Sequence, residues 1–185
     1  MKNVSLSSNY ELFRYFQEEE HQLFIPSKSD EEKKVLSFLS TLAEKGLFLT
    51  KQMGYKGSIL PVIQSHQIPV IRKEGIIPSL LGEYDHFYNK IFLYDNIIEK
   101  YQFNGPFLLE EVLLTHEFFH YLEKYHIGDV KKICLKNKIG KRRSAVLKQS
   151  SEVASHIFVK ELLSLPTYPP SLLQKRILNT SKGTI

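Results

Sequence analysis

His116, Glu117 and His120 spell H-E-x-x-H inside EEVLLTHEFFHYLEKYH, residues 110–126, a stretch with three histidines and four glutamates among bulky apolar side chains. Residues four apart on a helix lie about 40° apart around the axis, one turn above the other, so both imidazoles can meet one ion. Zinc takes neutral imidazole nitrogen at about 2.0–2.1 Å and keeps one position open for water in catalytic sites. Glu117 lies about 100° round from His116. It cannot easily share the coordination point, but it can reach water held at the open position. That is the ligand-and-base arrangement of metal-assisted hydrolysis. Val112, Leu113, Phe119 and Leu122 flank these polar groups. Burying two imidazoles and a carboxylate there is costly unless they are paired or metal-bound. The plain alternative is an ordinary helix whose histidines hydrogen-bond to neighbours.

Three groups compete to be the third ligand. His126 follows His120 by six residues, but Glu123 stands where a glycine would let the helix end and the chain turn back. On a continuous helix His126 points about 120° away from His120, as a surface histidine would. Glu123 shares the face of His120 one turn further along, where it either holds a ligand in place or, as the better expectation, is solvated. Glu152 is the strongest candidate. In LKQSSEVASHIFVKELL it shares a helical stripe with Ser155, His156, Val159, Leu162 and Leu163, and those apolar residues turn the stripe to the core. A carboxylate on such a stripe needs a partner, and a cation held by His116 and His120 is one. Pairing with a nearby basic residue is the other. His156, one turn beyond Glu152, is expected either to touch a ligand or the substrate, or to be a satisfied core histidine. Tyr121 and Tyr125 receive no role.

These groups need elements to position them. Residues 9 to 20 read as a short helix. Ser29 to Glu32 fits a capping box, and the helix it opens carries the stripe Val35, Leu36, Leu39, Leu42, Ala43 and ends at Gly46. From Leu47 to Pro78, glycines and prolines punctuate β-branched runs such as SILPVI and IPVI, which predict short strands and loops. HFYNKIFLYD (residues 86 to 95) predicts a hairpin, or at least a strand over Ile91 to Tyr94. Helices follow from about Pro106 to Tyr125 and from about Ser144 to Ser164, then a last short helix and a polar tail. The fold class is α+β, mainly helical, with a small antiparallel or mixed sheet beside the H-E-x-x-H helix. The 185 residues make one domain: N-terminal helices (1–46), sheet and loops (47–105), the two site helices (106–166) and a C-terminal helix and tail (167–185).

Composition narrows the classes. Hydrophobic residues at 42% and aromatics at 12% are a globular balance. No window reaches the apolar length of a membrane span, and the first residues lack an apolar signal core, so a cytoplasmic location is expected. Cys134 is the single cysteine, which excludes an internal disulfide and a cysteine-based zinc site. The net charge of +5 is concentrated in Lys131, Lys132, Lys136, Lys138, Lys141, Arg142, Arg143 and Lys148. A cluster like 131–148 is ordinarily solvated surface. Contact with an acidic protein or a nucleic acid is the functional alternative, and no zinc-finger spacing or RNA-binding aromatic signature supports nucleic acid.

LLTHEFFHYLE followed by SEVASHIFVKELLSLP resembles the ImmA/IrrE family of zinc peptidases over about residues 86 to 166. The order of Glu152, Phe158, Leu162, Leu163 and Pro166 follows that family's second helix. The chain departs from the pattern at Phe118 and Phe119 (a leucine and a glycine in the family), at Val159 (an alanine), in one extra residue before Pro166, and in its long basic segment. The resemblance implies a zincin-like metallopeptidase domain binding Zn2+ through His116, His120 and Glu152, with Glu117 activating water. It implies regulated proteolysis inside a bacterial cell, on a protein or peptide substrate such as a helix-turn-helix repressor. A strand beside the zinc would pair with extended substrate, and Ile91, Phe92, Leu93 and Tyr94 are the candidates for that edge. A non-catalytic zinc-containing module that holds a regulator is the alternative function.

Overall fold

The structure is a computed structural model that describes residues 30–77, 79–137 and 144–175. The expected helix over 9–20 and the C-terminal tail lie outside the described residues. Helix α1 (Asp30–Gln52) buries the expected stripe of Val35, Leu36, Leu39, Leu42 and Ala43. Gly46 does not end it. The helix runs on six residues and stops before Gly54, whose φ of 90° suits glycine. Gly46 is instead a point of close approach: an added Cβ would lie 3.2 Å from Phe158 and 3.3 Å from Phe119. Gly46→Leu is therefore expected to wedge α1 off the two site helices and cost about 1–3 kcal/mol of stability, measured by chemical denaturation.

SILPVI is helical rather than extended. Helix α2 (Leu60–Ser65) places Pro61 in its first turn, where the missing N–H costs nothing. Its start is held by the carboxylate of Glu111, which accepts from Ile59 N–H at 2.6 Å and from Ser58 Oγ at 3.1 Å. Val70–Lys73, from IPVI, is strand β1. Strands β2 (Gly82–Asp85) and β3 (Lys90–Tyr94) form the hairpin, which begins earlier than the sequence predicts. His86 to Asn89 make its turn. Asp85 Oδ1 accepts from Phe87 N–H at 2.8 Å and Tyr88 N–H at 2.9 Å, and Asn89 takes the left-handed conformation that asparagine tolerates.

The sheet order is β1-β3-β2, with β1 parallel and β2 antiparallel to β3. The fold is thus α+β, rich in helix, with a small mixed sheet. Ile91 to Tyr94 lies in the central strand, with both backbone edges paired. It is not a free edge for substrate, which corrects the expectation. Helix α3 (Asp95–Ile98) and strand β4 (Tyr101–Phe103) follow.

Helix α4 (Leu109–Leu122) carries H-E-x-x-H. It gives way to a π-helical turn (Glu123–Ile127) that ends at Gly128, φ 98°. Helix α5 (Val130–Lys136) is capped by Asp129. Helix α6 (Ser144–Leu162) packs against both α1 and α4, and α7 (Pro169–Leu172) leads into β5 (Leu173–Lys175), which pairs antiparallel with β4. Buried residues from α1, α2, the three-stranded sheet, α4, α5 and α6 form one continuous cluster. No helix among the described residues is long and apolar enough to cross a membrane.

Candidate metal centre

Packing of α4 against α6 brings His116, His120 and Glu152 together. His116 Nε2 lies 3.2 Å from His120 Nε2. Glu152 spans the pair, with Oε2 at 3.1 Å from His116 Nε2 and Oε1 at 3.4 Å from His120 Nε2. Ligands held tetrahedrally at 2.0–2.1 Å stand about 3.3–3.4 Å apart. The three observed separations lie close to that edge length, those of Glu152 through different oxygens, so two imidazoles and a carboxylate converge on a space of the size a zinc-sized cation needs. Among the described residues this is the one group of three or more such side chains close enough to hold a metal. Burial would raise the Glu152 pKa, but its contacts with His116 and His120 hold it well below the usual carboxylate range.

The lower part of the Glu152 stripe is core, as expected: Val159, Leu162 and Leu163 are buried. Glu152 itself stands at the mouth of the cleft, its side chain 45% exposed. Its carboxylate there faces both the imidazoles and solvent.

Glu117 is buried but is not one of the converging groups. Its carboxylate lies near His116, His120 and strand β2. The Tyr84 backbone amide favours its ionised form, and Gly82 on the same strand comes near it, an added Cβ standing at an ordinary contact distance of 3.6 Å from Oε1. Burial pushes the Glu117 carboxyl up, against the opposing pull of His116 and His120.

The sheet edge beside the centre is β2. Tyr94 N–H donates to Leu81 O at 2.9 Å, so Leu81–Tyr94, Glu83–Phe92 and Asp85–Lys90 are the hydrogen-bonded pairs in this register. The backbone groups of Gly82 and Tyr84 therefore turn outward. Gly82, Glu83, Tyr84 and His86 line one cleft with His116, Glu117, His120, Ser151 and Glu152. A second, mainly apolar hollow also borders Glu117 and Glu152 and is walled by Leu80, Leu109, Val112, Leu113, Phe103 and Pro170 among others.

His156 lines that apolar hollow, with its ring 4.7 Å from the His116 ring. Burial, then the nearby His116 charge, lowers its pKa well below the ordinary histidine value, so it is neutral near pH 7. His126 is exposed and packs on Tyr121, not at the centre. Tyr121 stacks on Phe118 and takes no part.

Glu123 overturns its expected solvation. It is buried, with Oε2 3.3 Å from His120 Nδ1. Oε1 accepts from Val130 N–H at 2.8 Å, and Ser151 Oγ donates to Oε2. The burial argument that singles out Glu152 applies equally to Glu123, which lies on the ligand face of an apolar helix. Nothing in GEYD marks β2 as the edge beside the centre, because strand order is set by pairing between distant residues. Ser155 Oγ lies 3.2 Å from His116 Nδ1, a contact that its place on the stripe does not by itself reveal.

In the metal-free protein burial opposes the His120 imidazolium, but Glu123 and Glu152 outweigh it and push the pKa up to about 10. The folded value exceeds the unfolded one, so this pairing stabilises fully below about pH 6.5 and is lost as pH rises through about 10. A metal must displace that proton. Apparent zinc affinity is expected to rise with pH, about tenfold per unit where one proton competes, as followed by chelator competition from pH 6 to 8.

No family model, curated protein or solved structure matches this chain.

Proposed function

We propose that this chain is a zinc-dependent endopeptidase with a zincin-like domain of the ImmA/IrrE kind, acting in the cytoplasm on a regulatory protein such as a helix-turn-helix repressor. One observation carries the proposal: three donor groups stand at the separations of a tetrahedral edge, beside a buried carboxylate that is not one of them. A protein using H-E-x-x-H only for structure has no need of that fourth group.

His116, His120 and Glu152 would hold the ion. When bound, zinc supplies Lewis acidity towards a carbonyl and makes water a better nucleophile near neutral pH. Glu117 accepts the proton of the attacking water and returns it to the departing amide nitrogen. Its buried position beside β2 keeps it from bulk solvent and near the peptide bond of a chain lying along the cleft. That chain is held by β2 rather than β3. The outward backbone groups of Gly82 and the Tyr84 carbonyl offer main-chain hydrogen bonds to an extended segment, and the apolar hollow accepts a bulky apolar side chain next to the cut.

The test is cleavage of a mixture of extended peptides and a helix-turn-helix regulator, with products located by mass spectrometry. Cleavage abolished by chelator, restored by zinc and placed beside large apolar residues is expected. Cleavage that persists undiminished in chelator contradicts the proposal.

A further inference from the structure

We infer that Glu123 is a positioning residue for the metal ligand His120: it fixes the ring's tautomer so that Nε2 presents a lone pair to the cation. The inference rests on the metal-centre reading above and adds a residue to it. Glu123 is the first residue of the π-helical turn that ends α4, and π-helical turns recur at functional sites. The wider turn brings the chain back so that Gly128 N–H reaches the Glu123 carbonyl at 2.9 Å and Val130 N–H reaches its carboxylate at 2.8 Å. Ser151 on α6 donates to the same carboxylate. Three elements therefore aim one buried carboxylate at His120 Nδ1, 3.3 Å away.

The proton count then decides the tautomer. An ionised carboxylate only accepts hydrogen bonds. Ser151 Oγ also lies 3.2 Å from Nδ1, but its hydrogen is committed to Glu123. The hydrogen between ring and carboxylate must be the imidazole's own, on Nδ1. Nε2 is left unprotonated in the neutral ring, facing His116 and Glu152. A carboxylate behind a ligand histidine also raises its basicity and holds its orientation.

Glu123→Gln keeps the size of the side chain but gives it only one accepting oxygen. With that oxygen on Val130 N–H, the amide NH2 opposes Nδ1 and drives the His120 proton onto Nε2, where it blocks the cation. Zinc affinity, measured by competition with a chromogenic chelator, is expected to fall about 10–100-fold in Glu123→Gln. A second readout compares the ring without metal: nitrogen-15 NMR of zinc-free protein, at a pH where His120 is neutral, should show its proton on Nδ1 in the parent and on Nε2 in Glu123→Gln. A purely structural Glu123 would not fix that assignment. Affinity of Glu123→Gln within about threefold of the parent, or a parent His120 protonated on Nε2, overturns the inference and leaves the metal centre standing. A parent that binds no zinc at all overturns both.

Discussion

Glu117→Gln is expected to bind zinc as tightly as the parent and to hydrolyse peptide about 10²–10⁴-fold more slowly. The separation of the two effects follows from where Glu117 sits. It contributes no atom to the group formed by His116, His120 and Glu152, so an amide of the same shape leaves the ligand set intact. The glutamine NH2 cannot accept a proton from water, and its carbonyl oxygen is too weak a base to do so. The Tyr84 amide that favours the ionised carboxylate can also face a glutamine carbonyl, so the local backbone should hold. Chelator competition and a peptide cleavage assay on the same preparation check both halves. A variant that loses zinc along with activity places Glu117 among the ligands, contrary to the geometry. A variant that cleaves at the parent rate removes it from the chemistry.

Glu152→Ala carries the second large effect, and it is read from stability rather than turnover. Glu152 is the one group that touches both His116 and His120 from another helix, so a cation held there would tie α6 to α4. Zinc at about a hundred times its dissociation constant adds about 2.7 kcal/mol to the folded state. For a chain of this length each kcal/mol moves the melting temperature by about 2–4 °C, so the parent should gain roughly 5–11 °C on adding zinc. In Glu152→Ala two imidazoles on one helix remain, and the zinc-dependent gain should all but vanish. Scanning calorimetry with and without zinc makes the comparison. An equal shift in both proteins shows the ion binding elsewhere.

Local spacing made much of the centre legible. Residues four apart on a helix must share a face, which places His116 and His120 together whatever the rest of the fold. Glu152 followed from a different local rule, a carboxylate on a stripe completed by Val159, Leu162 and Leu163. What stayed hidden depends on contacts between distant segments. Ile91 to Tyr94 reads as a strand, but only its pairing with both β1 and β2 makes it central. Gly46 has the look of a helix end, and only the rings of Phe119 and Phe158 show why a glycine is needed in mid-helix. SILPVI is β-branched enough for a strand, yet Pro61 opens a helix whose start Glu111 caps.

The four glutamates of residues 110–126 show the same divide. Glu117 was assigned from its offset to His116. Glu110 pairs with Arg72 of β1, Glu111 holds the start of α2, and Glu123 backs His120. The partners of Glu110 and Glu111 lie on other elements, where helical spacing carries no information; spacing did put Glu123 on the face of His120, and it was its burial under α5 and α6 that spacing could not show.

The most direct test is zinc K-edge X-ray absorption of the parent protein loaded with one equivalent of the metal. A low-coordinate site is expected, with two imidazole nitrogens at about 2.0–2.1 Å, carboxylate and water oxygen at about 2.0–2.2 Å, and no sulfur. A sulfur shell at about 2.3 Å, or oxygen ligands without imidazole scattering, would contradict it.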